Sequence, residues 1–337
     1  MIAGHGKTAR TLFLSFIPAV AIAALLVLIF HFQGNTADVH IFGRSSIVWM
    51  VTRWQDYGGR YSHCWLVPLV SLAVIILKRK ELSGVRKQVS PKALLMVAAF
   101  LLLQIMSART RLPRLSLATL IGLMWSIPYA ILGRQTARIL VFPCAYLLFC
   151  IPLTFLDTFT FRLRLAAASS ATAIINGLGI AAVRRGTAIL STQSDLFKLD
   201  VADPCSGLRS FLALTSLTAA YAYFTQKSLL GKWALFLCSP IIAMLANIVR
   251  IVLIAVIAAA AGQETATGFY HDYSPYIIFV SAVLFMTGLG TLINRFSKIG
   301  FSVNPHAHSG NSHAGPMTQP DEITPQETTQ REPGDLE

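Results

Sequence analysis

Charge is what this sequence has least of: Asp, Glu, Lys and Arg make up 13% of its 337 residues, against 54% hydrophobic ones. A soluble domain of this length needs far more charge to keep its surface wet. The composition therefore describes an integral membrane protein, and a mean hydropathy of +0.60 agrees. Acids are scarcer than bases, 15 against 28, which leaves a net charge of +13. Such an excess would ordinarily raise nucleic acid as a partner. Here Lys and Arg lie mostly in short loops beside apolar runs, where they fix membrane orientation, so no nucleic-acid partner is expected.

Other absences narrow the chemistry. The five cysteines (Cys64, Cys144, Cys150, Cys205 and Cys238) are odd in number and show no C-x-x-C spacing. That excludes a disulfide framework and a zinc site. Cys144, Cys150 and Cys238 sit in apolar stretches and read as small packing residues. There is no HExxH zinc helix, no G-x-S-x-G elbow and no Walker loop. No metal and no cofactor is expected.

What the sequence does have is apolar runs near 11–32, 63–77, 93–108, 115–133, 138–153, 206–225, 233–261 and 272–294. A spanning helix needs about 20 such residues. The expected fold class is all-α: a polytopic membrane bundle of about eight transmembrane helices with a small extracytoplasmic segment. The first run follows Lys7 and Arg10 and lacks a small-residue cleavage site before QGNTADVH, so it reads as an uncleaved helix. The stretch 233–261 is too long for one upright span and must tilt, kink or protrude. Placing the N-terminus inside puts residues 78–92, 134–138, 226–232 and 295–300 inside as well. With Lys7 and Arg10 those segments hold 14 Lys and Arg against the single acid Glu81, while the outer segments hold 11 bases and 8 acids. The positive-inside rule favours this orientation, although ARTRLPR at 108–114 places three arginines outside.

Two outer segments exceed simple connectors. Residues 33–62 approach the second span with VWMVTRWQDYGGRYSHCW. Residues 154–204 begin with a stretch that reads as an amphipathic helix lying in the interface, followed by RRGTAILSTQSDLFKLDV, which alternates as a short hairpin would. Beyond residue 300 the chain is rich in Pro, Gln and Glu and reads as a disordered cytoplasmic tail, 301–337. His306, His308 and His313 in that tail read as solvated residues, not a metal tract.

Three polar residues stand where lipid makes them costly. Cys205 lies in DPCSGLRS at the mouth of an apolar helix; Asp203 can cap that helix and Pro204 suits its first turn. The helix dipole and Arg209 favour the thiolate, and Gly207 leaves room for a close backbone approach. A small packing cysteine is the competing reading. Arg250, in NIVRIVLIAV, must face the protein interior and find a partner. Asn247, on the same helix face, could orient it. The guanidinium could hold a carboxylate or an oxyanion, or form a buried ion pair for packing. His271 opens the last span from the outer side and suits general acid–base work, a structural role being the alternative. His63 is a rival base, flanked by Tyr61 and Trp65.

YSHCWLVPLVSL, IPLT at 151–154, DPCSGLRS and NIVRI, with a His before the final span, together resemble the exosortase/archaeosortase family over roughly residues 55–290. The resemblance implies one transmembrane domain, 1–300, with its catalytic core at about 55–290. It also implies a cysteine transpeptidase-like enzyme that processes secreted proteins bearing a C-terminal sorting tail: a short motif (often Pro-Glu-Pro), a hydrophobic helix and a basic cluster. Those proteins and membrane lipid are the implied partners. The family's Cys–Arg–His set falls on Cys205, Arg250 and His271. Tyr61, His63, Ser206, Gly207, Arg209 and Asn247 are candidate supporting or substrate-binding residues. Two departures bear on substrate fit: Cys64 stands where the family usually has Gly, and HDYSPYIIF follows the last His without one. Cys64 also raises an inactivating disulfide with Cys205 if the two approach. The other classes open to such a chain are a transporter with an Arg/Asn anion site and a non-catalytic scaffold for surface-polymer assembly.

Overall fold

Helices dominate the computed structural model, which describes residues 20–35, 37, 39–59, 61–86, 88–153, 156–192, 197–200 and 207–302. The tail 303–337, the start of the first apolar run and Cys205 lie outside these residues. In chain order the helices are α1 (Val20–Gln33), α2 (Val39–Phe42), α3 (Ser46–Gly59), α4 (Leu66–Leu77), α5 (Arg79–Ser83), α6 (Pro91–Thr110), α7 (Pro113–Leu132), α8 (Arg134–Tyr146), α9 (Leu156–Gly177), α10 (Gly207–Thr225), α11 (Leu229–Leu237) and α12 (Ser239–Ser302). Single 3-10 turns, Ser62–Trp65 and Leu147–Cys150, precede α4 and follow α8.

Among the described residues four segments are long and apolar enough to cross a membrane: Pro91–Thr110, Pro113–Leu132, Ser239–Ala266 and Tyr273–Phe296. Val20–Gln33, Ser62–Leu77 and Phe211–Thr225 are shorter apolar helices. This is a polytopic helical membrane protein. The fifth candidate span, 138–153, divides between α8 and its 3-10 turn. Pro143, inside α8, removes a backbone donor and loosens the helix end there.

The overlong stretch 233–261 resolves into α11 and the start of α12. Pro240 at the junction lacks the N–H that a continuous helix would use. The far end of that stretch then bends at Gly262 (φ +88°, ψ 163°), inside α12. That backbone region is essentially restricted to glycine. The two arms of α12 fold back on one another: Ile242, Ala243 and Ala246 of the first share one apolar cluster with Ile278, Ala282 and Met286 of the second. The same cluster takes in Tyr61, Cys64, Val67, Tyr146, Leu212 and Leu214, so α4, α8 and α10 surround the α12 hairpin.

Side-chain hydrogen bonds to backbone carbonyls tie these helices where no water competes. Ser71 Oγ donates to Pro143 O (2.8 Å), Trp54 Nε1 to Cys150 O (2.8 Å), and Gln226 Nε2 to Gly290 O (3.2 Å). On the opposite edge α6 and α7 form a simpler hairpin that leaves Leu95, Leu102 and Ile105 for lipid. Just after α4, Lys78 Nζ donates to Glu81 Oε1 (2.7 Å), and that bond raises the pKa of the ammonium.

The segment 154–204, expected to be extracytoplasmic, is more built than a hairpin in its described part. α9 places Ala167, Ala168, Ala171 and Ile175 against Ile248, Ile251, Ile254 and Ala255 of α12. The helix expected in the interface therefore spends its small-residue face on protein. Strands β1 (Ala182–Arg185), β2 (Ala188–Ser191) and β3 (Lys198–Asp200) follow as an antiparallel sheet in the order β1-β2-β3. Register pairs Val183 with Leu190 and Ile189 with Leu199. Alternation turns Ile189 inward, where it is fully buried with Phe197 in the cluster that holds Ile254, Ala255 and Ala258 of α12.

Candidate functional site

α10 begins at Gly207, with Arg209 in its first turn. Cys205 and Ser206, which precede it, lie outside the described residues. One turn into α10, Phe211 lines a narrow cleft with Thr160 and Arg164 of α9 and with Ala243, Met244 and Asn247 of α12. The cleft holds about 30 Å³, room for a water or two and no more. A turn at 226–228 and α11 join α10 to the first arm of α12, so the two run in opposite directions. One turn back from Phe211 is Gly207, and one turn on from Asn247 is Arg250. The start of α10 and Arg250 thus stand at similar height.

Arg250 is 4% exposed, as a guanidinium in a membrane helix must be. Its Nη1 donates to Ser274 Oγ at 3.5 Å, and Ser274 is itself buried. The two residues are equidistant in sequence from Gly262, so the bond is a direct product of the hairpin. His271 lies on the same helix as Ser274, just under one turn before it. The fold therefore brings Arg250 to the helical turn that carries His271. Asn247, expected to orient Arg250, opens on the cleft.

The second-span block is placed as follows. Tyr61 is buried at 2% exposure, and the Ser62–Trp65 turn packs against α10. His63 is half-buried, with Nε2 3.7 Å from Cys64 Sγ. Cys64 is fully buried and donates its thiol hydrogen to Phe149 O (3.3 Å), while Cys150 Sγ lies 3.9 Å from Cys64 O. The extra thiol at the family's Gly position is thus engaged inside the bundle.

Sequence reasoning missed three residues that the fold places here. Ser274 gives no signal as the partner of an arginine, being uncharged and far along the chain. Arg164 lines the cleft from α9, with a buried Nε that makes no hydrogen bond among the described residues. Gln263, next to the Gly262 bend, binds β3: its Oε1 accepts from Lys198 N and its Nε2 donates to Lys198 O, both at 3.2 Å. Among the described residues no cluster of His, Cys, Asp and Glu could hold a metal.

A multi-pass helical membrane bundle whose last hairpin buries an arginine one helical turn from a histidine in sequence is the class that fold and site define. The family model described as transmembrane exosortase (Exosortase_EpsH) matches residues 53–288, well over half the chain. The chain belongs to the transmembrane exosortase family. Its members are membrane protein-sorting enzymes, generally cysteine transpeptidase-like, that act on secreted proteins with C-terminal sorting signals. The matched range takes in the YSH block, Cys205, Arg250 and His271. No match to a curated protein or to a solved structure was found.

Proposed function

We propose that this chain is a cysteine transpeptidase that cleaves C-terminal sorting tails at the extracytoplasmic face of the inner (cytoplasmic) membrane. Cys205 gives its proton to His271 and attacks the peptide carbonyl just before the substrate's membrane helix. Arg250 holds the resulting oxyanion; a planar fork of five donors can serve a packing bond and an oxyanion together. Collapse to a thioester breaks the C–N bond, and His271 protonates the leaving amine. An acceptor nucleophile or water then gives a proton to His271 and displaces the thiolate.

The observation that carries this reading is the Arg250–Ser274 bond. It draws a buried cation to the turn bearing His271, at the height of the α10 start. A helix N-terminus stabilises a thiolate, and nearby cations add to the effect. The positive-inside pattern supports an outward-facing site and a cytoplasmic tail after residue 300.

The test is processing of a tail-bearing secreted substrate, followed on a blot of membrane fractions. Cys205→Ala and Cys205→Ser abolish processing, while Cys144→Ala, Cys150→Ala and Cys238→Ala retain it. Normal cleavage by Cys205→Ala would end the nucleophile assignment and favour a transporter or a scaffold. An impermeant thiol reagent on intact cells labels Cys205, and a reporter fused after residue 300 behaves as cytoplasmic.

A further inference from the structure

Arg164 is a cation that the proposed reaction leaves unused. It lines the narrow cleft between α9, α10 and α12, and its buried Nε makes no hydrogen bond among the described residues. A buried polar group without a protein partner calls for water or for an acceptor from outside. One face of the guanidinium is already taken, since its Cζ stands 5.7 Å from the centroid of the Phe161 ring, one turn back. A cation held over an aromatic face keeps its in-plane N–H groups for other acceptors. From α12, Asn247 adds a carboxamide to the same cleft. Among the described residues no acid lines it, and Leu163, Met244 and Phe211 make its walls apolar.

This donor set selects an anion, and the size of the cleft selects which anion. A guanidinium fork matches the two oxygens of a carboxylate. The cleft holds about 30 Å³, which two carboxylate oxygens fill in place of water and a tetrahedral phosphate overfills. The apolar walls suit the methylene stem of a glutamate, and a low local dielectric strengthens the polar contacts at its tip. Arg164 is half-buried, so an incoming side chain can reach its fork. Asn247 stands one turn before Arg250 on the same helix, which puts the cleft beside the proposed reaction centre. Resting on the reading of this chain as a sorting-tail transpeptidase, we infer that Arg164 and Asn247 form a subsite for an acidic side chain of the substrate peptide. Arg164 is then a specificity-determining residue, selecting a carboxylate over its neutral isostere.

The experiment uses the full-length protein in detergent, carrying Cys205→Ala so that bound peptide stays uncleaved. Two fluorescent sorting-tail peptides are compared by anisotropy, identical except that the single acidic residue ahead of the apolar helix is Glu in one and Gln in the other. The Glu peptide is expected to bind about ten- to hundredfold more tightly, the scale of a hydrogen bond between charged groups. Arg164→Met removes the charge and keeps the stem; it brings the two affinities within about twofold, while the Gln peptide binds as before and so reports an intact fold. Asn247→Leu weakens the Glu peptide about two- to tenfold, as loss of a neutral hydrogen bond does. Arg162→Met, at an exposed position two residues away, keeps the full preference. A preference that survives Arg164→Met would overturn the proposal. An equal loss in Arg162→Met would also overturn it, by making the general positive field the cause. So would displacement of the Glu peptide by inorganic phosphate where acetate at matched ionic strength does nothing. Should Arg164→Met fail to accumulate, Arg164→Lys decides: it keeps the charge without the fork, and an undiminished preference there would overturn the proposal. Binding is read without catalysis, so the two readings fail separately. Processing by Cys205→Ala would remove the nucleophile and leave the Glu preference standing, whereas failure to bind either peptide would overturn the subsite through the reading beneath it.

Discussion

Among the described residues, two helical hairpins are long and apolar enough to cross a membrane, α6–α7 and the two arms of α12, and they bury polar groups of different kinds. Between α6 and α7, Thr119 Oγ1 donates to Gln104 Oε1 at 2.8 Å, a neutral pair inside a lipid-facing unit. Between the α12 arms, the buried group is the Arg250 guanidinium, bonded to Ser274. Neutral side-chain bonds between membrane helices are ordinary packing, worth about 0.6 kcal/mol on average. A guanidinium at a helix centre costs about 2.5–3.5 kcal/mol on insertion scales. The first pair is ordinary packing; the second holds a full charge between two arms, one of which carries His271, and that contrast is what substitution at Arg250 tests.

The largest effect that would sharpen this contrast is at Arg250. If the guanidinium only completed the α12 interface, Arg250→Lys would keep most function, since the charge stays. If it grips an oxyanion with a planar fork, Lys offers a point charge in the wrong place. Arg250→Lys is expected to accumulate in the membrane at near-normal level and to process substrate about 100- to 1000-fold more slowly, the loss typical of one oxyanion donor. Processing rate normalised to membrane abundance decides it. Retention of more than about a tenth of wild-type rate, set against that scale, would return Arg250 to the same standing as Gln104.

A glycine in each hairpin gives the next comparison. Gly262 is required by its backbone, at φ +88° with open space around it, whereas Gly122 is required by contact, since a Cβ there would overlap the Phe100 ring. Gly262→Ala carries strain of about 1–3 kcal/mol. Overpacking at Gly122→Ala costs a similar amount, about 1–3 kcal/mol. Heat-induced loss of the detergent-solubilised protein should report comparable destabilisation. Only Gly262→Ala should also slow processing per folded molecule, because only that bend sets Arg250 opposite Ser274. Equal activity losses would mean that the two hairpins are not functionally distinct.

The distinction between the hairpins was only half legible in the sequence. Hydropathy marks α6, α7, α10 and the second arm of α12 to within a few residues, because length and apolarity are local properties. It flagged 233–261 as too long and ended it one residue before the Gly262 bend, but α11 emerged only from the fold, Pro240 being a weak signal inside an apolar run. The Ala-rich face of α9 reads the same whether a membrane surface or another helix covers it, so its partner on α12 was not foreseeable. Arg250 was visible as a cost. Ser274 and Gln263 were invisible as partners, since each meets its counterpart through the hairpin geometry and not through any spacing or charge in the chain.

The smallest expected effect tests the neutral side of the contrast. Thr119→Val alone removes a donor and strands the buried Gln104 amide, whose Nε2 already makes no hydrogen bond among the described residues. An unsatisfied buried polar group costs about 1–3 kcal/mol, so the single variant should melt earlier. Removing both partners is different: with Gln104→Leu and Thr119→Val together no polar atom is left to satisfy, and similar side-chain volume preserves the α6–α7 contact. Replacing both partners by apolar groups of similar shape is nearly neutral or stabilising. The double variant is therefore expected to process substrate at the wild-type rate and to survive heating at least as well as wild type. The readouts are thermal loss in detergent and processing in membranes. Loss of processing in the double variant, with abundance and thermal resistance intact, would show that the α6–α7 hairpin contributes to the chemistry and would dissolve the division between the two hairpins.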